Sequence, residues 1–261
     1  MILQSIASNL RKQNWSVLFV ELIVVIVGLV LAFQADRWWE ERGERAQERA
    51  YIERLITEVK EDLELVSHAR KLAEVRKGFG DLLLEVADDP AAAGQQPAMF
   101  LAAIAQAAFT YSPSLTSHTF EELRSTGGMG LINDSEIKRS LYAYYGFHHA
   151  QQQYVQLNLM IEMRYFELAA NVLDAAQYQW VQDNWFVVRA KDLDEVRATT
   201  PDLAGFDATL ERFMADEALR AWIPRTRGIQ VEQILMNGIR LSRAEDLLAQ
   251  LDAYAAKLDG N

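Results

Sequence analysis

Apolar and polar residues fall into blocks of different period along this chain. The first block, Val17-Leu-Phe-Val-Glu-Leu-Ile-Val-Val-Ile-Val-Gly-Leu-Val-Leu-Ala-Phe33, is apolar except for Glu21. A helix from Trp15 to Trp38 rises ~35 Å at about 1.5 Å per residue, enough to cross a hydrocarbon core of ~30 Å. Trp15, Trp38 and Trp39 bracket the run, and tryptophan suits the bilayer interface because its ring is apolar and its N–H polar. Residues 16–36 therefore predict a transmembrane helix. It reads as an uncleaved anchor: Ala32 and Ala35 are three apart rather than two, and Arg37-Trp38-Trp39 follows them, so no small-x-small cleavage site is in place.

The flanking blocks are different. In residues 1–15, Ile2, Leu3, Ile6 and Leu10 share one helical face, which predicts an amphipathic tail on the membrane surface. Residues 37–51 carry alternating charges, with Glu41 and Arg45 ordered at i,i+4, and predict a solvated helical stalk. From Ile52 a 4-3 spacing sets in through Ile56, Val59, Leu63, Val66 and Ala73, the stripe of a core-facing or coiled-coil helix. Lys77-Gly78-Phe79-Gly80 is expected to bend or end it.

Beyond it, residues 88–97 read as a loop, and 99–109 as a short buried helix. Residues 119–126 read as a short amphipathic helix closed by the turn Thr126-Gly-Gly-Met-Gly130. Asn133-Asp-Ser-Glu136 has the capping-box form, with Asn133 as cap of a long helix to about Ala176. Residues 177–208 are irregular, and Trp180, Trp185, Phe186, Val187 and Val188 suit a loop or brief strand. A C-terminal helical region follows, interrupted at Pro224 and Gly228, with a buried stripe at Ile234, Leu241, Leu248, Leu251, Ala255 and Leu258. The fold class is all-α: a single transmembrane helix continuing into a stalk, then a helical-bundle domain over 52–261.

Composition narrows the function classes. Hydrophobic residues make up 50% of the 261, ample for a core, and 5 prolines and 13 glycines argue against disorder. A net charge of -11 disfavours nucleic acid as a partner, because phosphate binding needs a basic surface. The absence of cysteine removes disulfides, thiolate metal sites and cysteine nucleophiles. Arg11 and Lys12 precede the span, whereas Arg37, Arg42, Arg45 and Arg49 follow it among interleaved acids. The lysine and arginine count alone favours an internal domain, but long domains translocate largely regardless of charge. The orientation taken is N-terminus cytoplasmic, helical domain extracytoplasmic.

Candidate chemistry is sparse. Glu21 shares a helical face with Val25, Gly28, Ala32 and Ala35. Gly28-x-x-x-Ala32 is a small-xxx-small pair that lets helices approach closely, and an acid in a span is costly unless paired, hydrated or snorkelling. That face is the expected helix–helix interface. Tyr142, Tyr145 and His149 lie at i, i+3, i+7, with Tyr144, Phe147 and Tyr154 close by. Such a stripe is usually core, but could line a ligand pocket. The four histidines, His68, His118, His148 and His149, show no metal-ligand spacing, so no metal or cofactor is expected. No nucleophile elbow or carboxylate pair points to catalysis, and the chain is read as a non-enzyme, although a site assembled from distant residues stays open.

The span and its exit resemble an uncharacterised family of bacterial single-pass membrane proteins. The resemblance is carried by Glu21-Leu-Ile-Val-Val-Ile-Val-Gly28-Leu-Val-Leu-Ala-Phe-Gln34, Trp38 and Glu41. It continues more weakly in Thr119-Phe-Glu-Glu-Leu-Arg-Ser-Thr-Gly127, Gly130-Leu-Ile-Asn-Asp-Ser-Glu136 and Tyr144-Tyr145. It implies an uncleaved anchor in a bacterial inner membrane, a helical domain and a cytoplasmic N-terminus, and supplies no activity. The Ala-Asp-Arg-Trp-Trp exit departs from the more amide-rich run of the family, and the tail is only weakly basic. The expected function is protein–protein interaction from the membrane (sensing, scaffolding or assisting a membrane complex), with the bilayer, further copies of the chain and an unidentified protein as partners. A membrane-tethered small-ligand sensor and an ion-conducting homo-oligomer using Glu21 are the alternatives.

Overall fold

The computed structural model describes residues 15–185 and 204–259, apart from the side chains of residues 15–18, 151–154 and 185. The amphipathic tail expected over 1–15, the Trp15 anchor, Tyr154, Trp185 and residues 186–188 thus lie wholly or in their side chains outside the described residues.

Every regular element among the described residues is helical. In chain order these are α1 (Trp15–Asp88), α2 (Ala91–Gln95), α3 (Pro97–Gln106), α4 (His118–Thr126), a 3-10 turn (Gly128–Gly130), α5 (Ser135–Ala169), α6 (Ala175–Trp185), α7 (Phe206–Ala215) and α8 (Glu217–Asp259).

α1 is one uninterrupted helix of 74 residues, roughly 110 Å long at about 1.5 Å per residue. Its N-terminal part is long and apolar enough to cross a membrane, and none of that apolar window is buried against the rest of the chain. The charged stalk follows in the same helix, where Trp38 and Trp39 are exposed and meet edge to face at 5.1 Å, with Arg42 over the Trp38 ring. Packing begins at Glu48, four residues before the expected boundary, because Glu48 and Tyr51 already turn inward and Arg49 pairs with Asp259 at the end of α8.

The helix does not break at Gly78 and Gly80. Gly80 is where α8 crosses: a Cβ there would lie 2.9 Å from Arg227 Cβ and 3.3 Å from its Cα. The missing side chain lets the two helices touch, and the Arg227 side chain runs on to Asp81, Nε to Oδ1 at 2.5 Å. α8 likewise runs through Pro224 and Gly228, both exposed, for 43 residues. Proline forfeits one backbone bond and crowds the preceding turn, but Ile223 and Thr226 on either side are fully buried. Packing of those neighbours holds the helix across the defect.

α1 and α8 form the frame as an antiparallel pair: Glu48 meets Tyr254 at one end, and Gly80 and Asp81 meet Arg227 at the other. α5 lies against both. Two apolar cores fill the frame. The near core, at the end closer to the stalk, joins Ile52, Leu55 and Val59 of α1 to Phe120, Leu141, Tyr145, Leu247 and Leu251. The far core joins Phe79, Leu83 and Val86 to α3, whose residues from Ala98 to Ile104 are all buried, and to Tyr165, Phe213 and Ile223. Phe100 is its centre, edge to face with Phe206 at 5.8 Å and Phe213 at 5.4 Å.

Several local expectations are corrected by the packing. The cap of α5 is Asp134, not Asn133: Asp134 Oδ1 accepts from the amides of Glu136 and Ile137 at 2.8 and 3.3 Å. Asn133 is taken by Glu48, which accepts its amide at 2.7 Å. α5 stops at Ala169 rather than near Ala176, and Trp180 belongs to a helix, not to a loop or strand. The turn after α4 follows expectation, with Gly127 left-handed at φ 79°.

Candidate functional site

Between the two cores the buried stripes become polar. On α1 the inward register runs Glu48, Ile52, Leu55, Val59, Asp62, Val66, Ala69, Ala73, Arg76, so every fourteenth position (48, 62, 76) is both ionisable and buried. On α8 it runs Thr226, Gln230, Asn237, Arg240 before returning to Ala244, Leu247 and Leu251. α5 adds His148, Asn158 and Glu162. The stripe expected at Ile234, Leu241, Leu248, Ala255 and Leu258 is only partly buried; of the six residues named, Leu251 alone is fully inside.

Four residues of this polar belt, Asp62, Glu162, Gln230 and Arg240, hold down one segment. Between Gln106 and His118 the chain has no regular element, so its backbone must find partners elsewhere when it is covered. Side chains supply them. Gln230 Nε2 donates to the carbonyls of Ala107 and Phe109 at 3.1 and 2.9 Å. The amide and hydroxyl of Thr110 donate to Glu162 at 3.1 and 2.9 Å. Arg240 Nη2 donates to the Pro113 carbonyl at 3.1 Å, and the Thr116 amide donates to Asp62 Oδ1 at 3.0 Å. Glu58 then accepts the amide and hydroxyl of Thr119 at the start of α4. Residues 107–117 form a strap along the belt, laced in turn by α8, α5 and α1.

The electrostatics follow from burial. Burial pushes Asp62 up to about 6, against the Thr116 amide and the Tyr144 hydroxyl, which donates to Asp62 Oδ2 at 2.9 Å. Burial lowers the Arg76 guanidinium to about 10, with Glu162 opposing, and raises Glu162 above the usual carboxylate range. His148 is driven down to about 3, by burial first and then by the positive charges of Arg240, Arg243 and His149. Its imidazole is therefore neutral.

The strap does not use every polar atom in the belt. His148 Nδ1 and Nε2, Arg240 Nε, Asn237 Nδ2 and Gln230 Oε1 are buried with no hydrogen-bond partner in the structure. A buried group left unmatched costs about 1–3 kcal/mol. Two of these residues, His148 and Arg240, are walls of a half-enclosed cavity of about 200 Å³ between the strap, α5 and α8. A larger cavity of about 560 Å³ lies between α3, α5 and α6, walled by Ile104, Phe109, Phe166, Leu173 and Tyr178, with Asp174 at its edge. It is mostly apolar and holds none of the unmatched groups.

The residues singled out from sequence lie as follows. Tyr142 is exposed and edge to face with Phe120, Tyr145 is core and stacked on Phe120 at 4.3 Å, and His149 is exposed with Glu121 3.8 Å away. The three are not brought together around either cavity. Beside Tyr145, the inward positions of α5 include Tyr144 and His148, their rings 4.4 Å apart. Glu21 is half-buried, whereas Val25, Gly28, Ala32 and Ala35 lie open along the apolar part of α1. Asp62, Arg76, Asn237 and Arg240 were not expected inside. Their signal in the sequence is register: they continue the 4-3 stripe that the apolar residues define.

No family model, curated protein or solved structure matches the chain.

Proposed function

We propose that this protein is a single-pass membrane protein that works through protein–protein interaction, with copies associating through the span. The observation that carries this reading is the unbroken helix α1, apolar and uncovered at one end and central to the bundle at the other. With no joint between span and core, a partner that grips either end moves the other. A soluble domain on a flexible tether would not need that construction. The resemblance noted for residues 21–34 supports a bacterial inner-membrane setting with the bundle on the extracytoplasmic side.

The span offers a surface for self-association. An added Cβ at Gly28 would meet nothing within 4 Å, so a notch lies open on the face shared with Val25, Ala32 and Ala35. Close helix packing uses such notches. In lipid nanodiscs the full-length chain should run as a defined oligomer, and Gly28→Leu and Glu21→Leu should shift it to monomer. Native mass measurement reads this directly, and a wild-type monomer would overturn the association. Because the chain has no cysteine, one introduced cysteine at Ala256, tested with a membrane-impermeant thiol reagent on whole cells, checks the side of the membrane.

A further inference from the structure

The strap accounts for Asp62, Glu162, one end of Gln230 and one end of Arg240, but not for the imidazole of His148. A histidine only 9% exposed, with both ring nitrogens unmatched, forms a cavity wall beside a guanidinium whose Nε is also unmatched. The other polar walls are Ser112, Ser114 and Gln156, and no carboxylate is among the walls. Arg240 makes no ion pair within 4 Å among the described residues. Among the described residues its guanidinium bonds only to Asn237 Oδ1 and the Pro113 carbonyl. Arg243, one turn on and stacked over Phe147 at 4.2 Å, adds a second positive charge near His148. The cavity walls thus carry one guanidinium and no carboxylate, with Asp62 behind them partly offsetting the Arg240 charge and Arg243 adding to it, and are supplied with one donor and one acceptor on a neutral imidazole.

We propose that this cavity binds a small carboxylic acid that carries a second hydrogen-bonding group, the carboxylate going to Arg240 and the second group to His148. Guanidinium and carboxylate match in geometry and charge. A neutral imidazole donates from one nitrogen and accepts at the other, so a hydroxyl or amine next to the carboxylate uses the nitrogen that a plain carboxylate leaves idle. At about 200 Å³ the cavity is smaller than ordinary ligand pockets of about 300–1,000 Å³, which limits it to a small ligand. Phosphate fits less well: a dianion would face the nearby Asp62 with only one guanidinium in the wall. The unmatched nitrogens are themselves sealed from solvent, so the ligand reaches them as the wall relaxes around it. On the proposed membrane placement, Asp62 stands 26 residues beyond Asp36, about 39 Å along the helix at about 1.5 Å per residue. That distance puts lipid headgroups out of reach and makes the ligand a soluble one.

The test is titration calorimetry on the full-length chain in nanodiscs of neutral phosphatidylcholine, with lactate, acetate and inorganic phosphate as probes. Lactate should bind, acetate more weakly, and phosphate not measurably. His148→Phe keeps the ring volume and removes both nitrogens; Val155→Trp fills the cavity from a half-exposed wall position. Each should weaken lactate about tenfold or more while leaving the helical circular dichroism signal intact. No binding by lactate or acetate overturns the proposal, as does binding by phosphate alone or an affinity unchanged in Val155→Trp. Each result reads the bundle and stands whether or not copies associate through the span.

Discussion

Gly80→Leu should destabilise the bundle by about 3 kcal/mol or more, read as a fall in the urea midpoint of the chain in detergent. Overpacking usually costs about 1–3 kcal/mol, and here the intruding atoms meet helix backbone rather than a side chain that can swing away: Arg227 Cα would lie 3.3 Å from the first of them. Pushing α8 off α1 also pulls Arg227 from Asp81. Gly80→Ala should cost less, because alanine regains about 1 kcal/mol of helix propensity against a smaller clash. Gly43 is the control. It sits in the same helix with nothing within 4 Å of an added Cβ, so Gly43→Ala should stabilise by about 0.5–1 kcal/mol. If Gly80 and Gly43 respond alike, Gly80 is not a crossing point.

The second large effect is on acid stability. His148 is held down near 3 in the fold against about 6.5 unfolded. Its depressed value means a stability that is present above pH 6.5 and is lost as the pH falls towards 3. Between pH 6.5 and pH 4 this amounts to a loss on the order of 3 kcal/mol. Asp62, raised to about 6, has the opposite sign: its contribution is present below about pH 4 and is lost as the pH rises through 6. In the wild type the two slopes oppose each other between pH 4 and 6. His148→Phe removes one of them, so the variant should gain stability relative to wild type as the pH is lowered, by that same few kcal/mol at pH 4. Denaturant melts of both proteins from pH 7 to pH 4 measure it, and parallel curves would show that His148 is not buried as a neutral base.

Physical reasons separate what the sequence made legible from what it hid. The long apolar helix was plain because seventeen positions carry one acid, and the α1 stripe because Ile52, Val59 and Val66 keep the 4-3 spacing. The glycines and the proline misled because their local cost is real. Gly80 is tolerated for a close approach 147 residues away in sequence (80 to 227), and Pro224 for the burial of its neighbours. The α5 cap was misplaced by one residue because Asn133 and Asp134 suit a cap equally; the choice is made by Glu48, which takes Asn133. The polar belt stayed hidden because charged residues read as a solvated face when scanned for apolarity. His148 and His149 show the limit most clearly. The two are chemically identical neighbours set about 100° apart on α5, and the strap and α8 lying over one side make His148 a cavity wall and leave His149 on the surface.

The continuity of α1 also fixes an azimuth. A helix turns about 100° per residue, so Gly28, 20 residues before Glu48 (48 to 28), points about 200° away from it around the same axis. Glu48 faces the bundle's interior; the notch at Gly28 therefore faces nearly the opposite way, to the side of α1 that the bundle leaves bare. Two copies meeting at that notch would stand back to back, their α1 helices inward and their bundles outward, with neither domain in the other's path. Removing one residue from the stalk would swing the notch by about 100° and bring one bundle round towards its neighbour, whereas removing seven would return it to within about 20° of its original bearing.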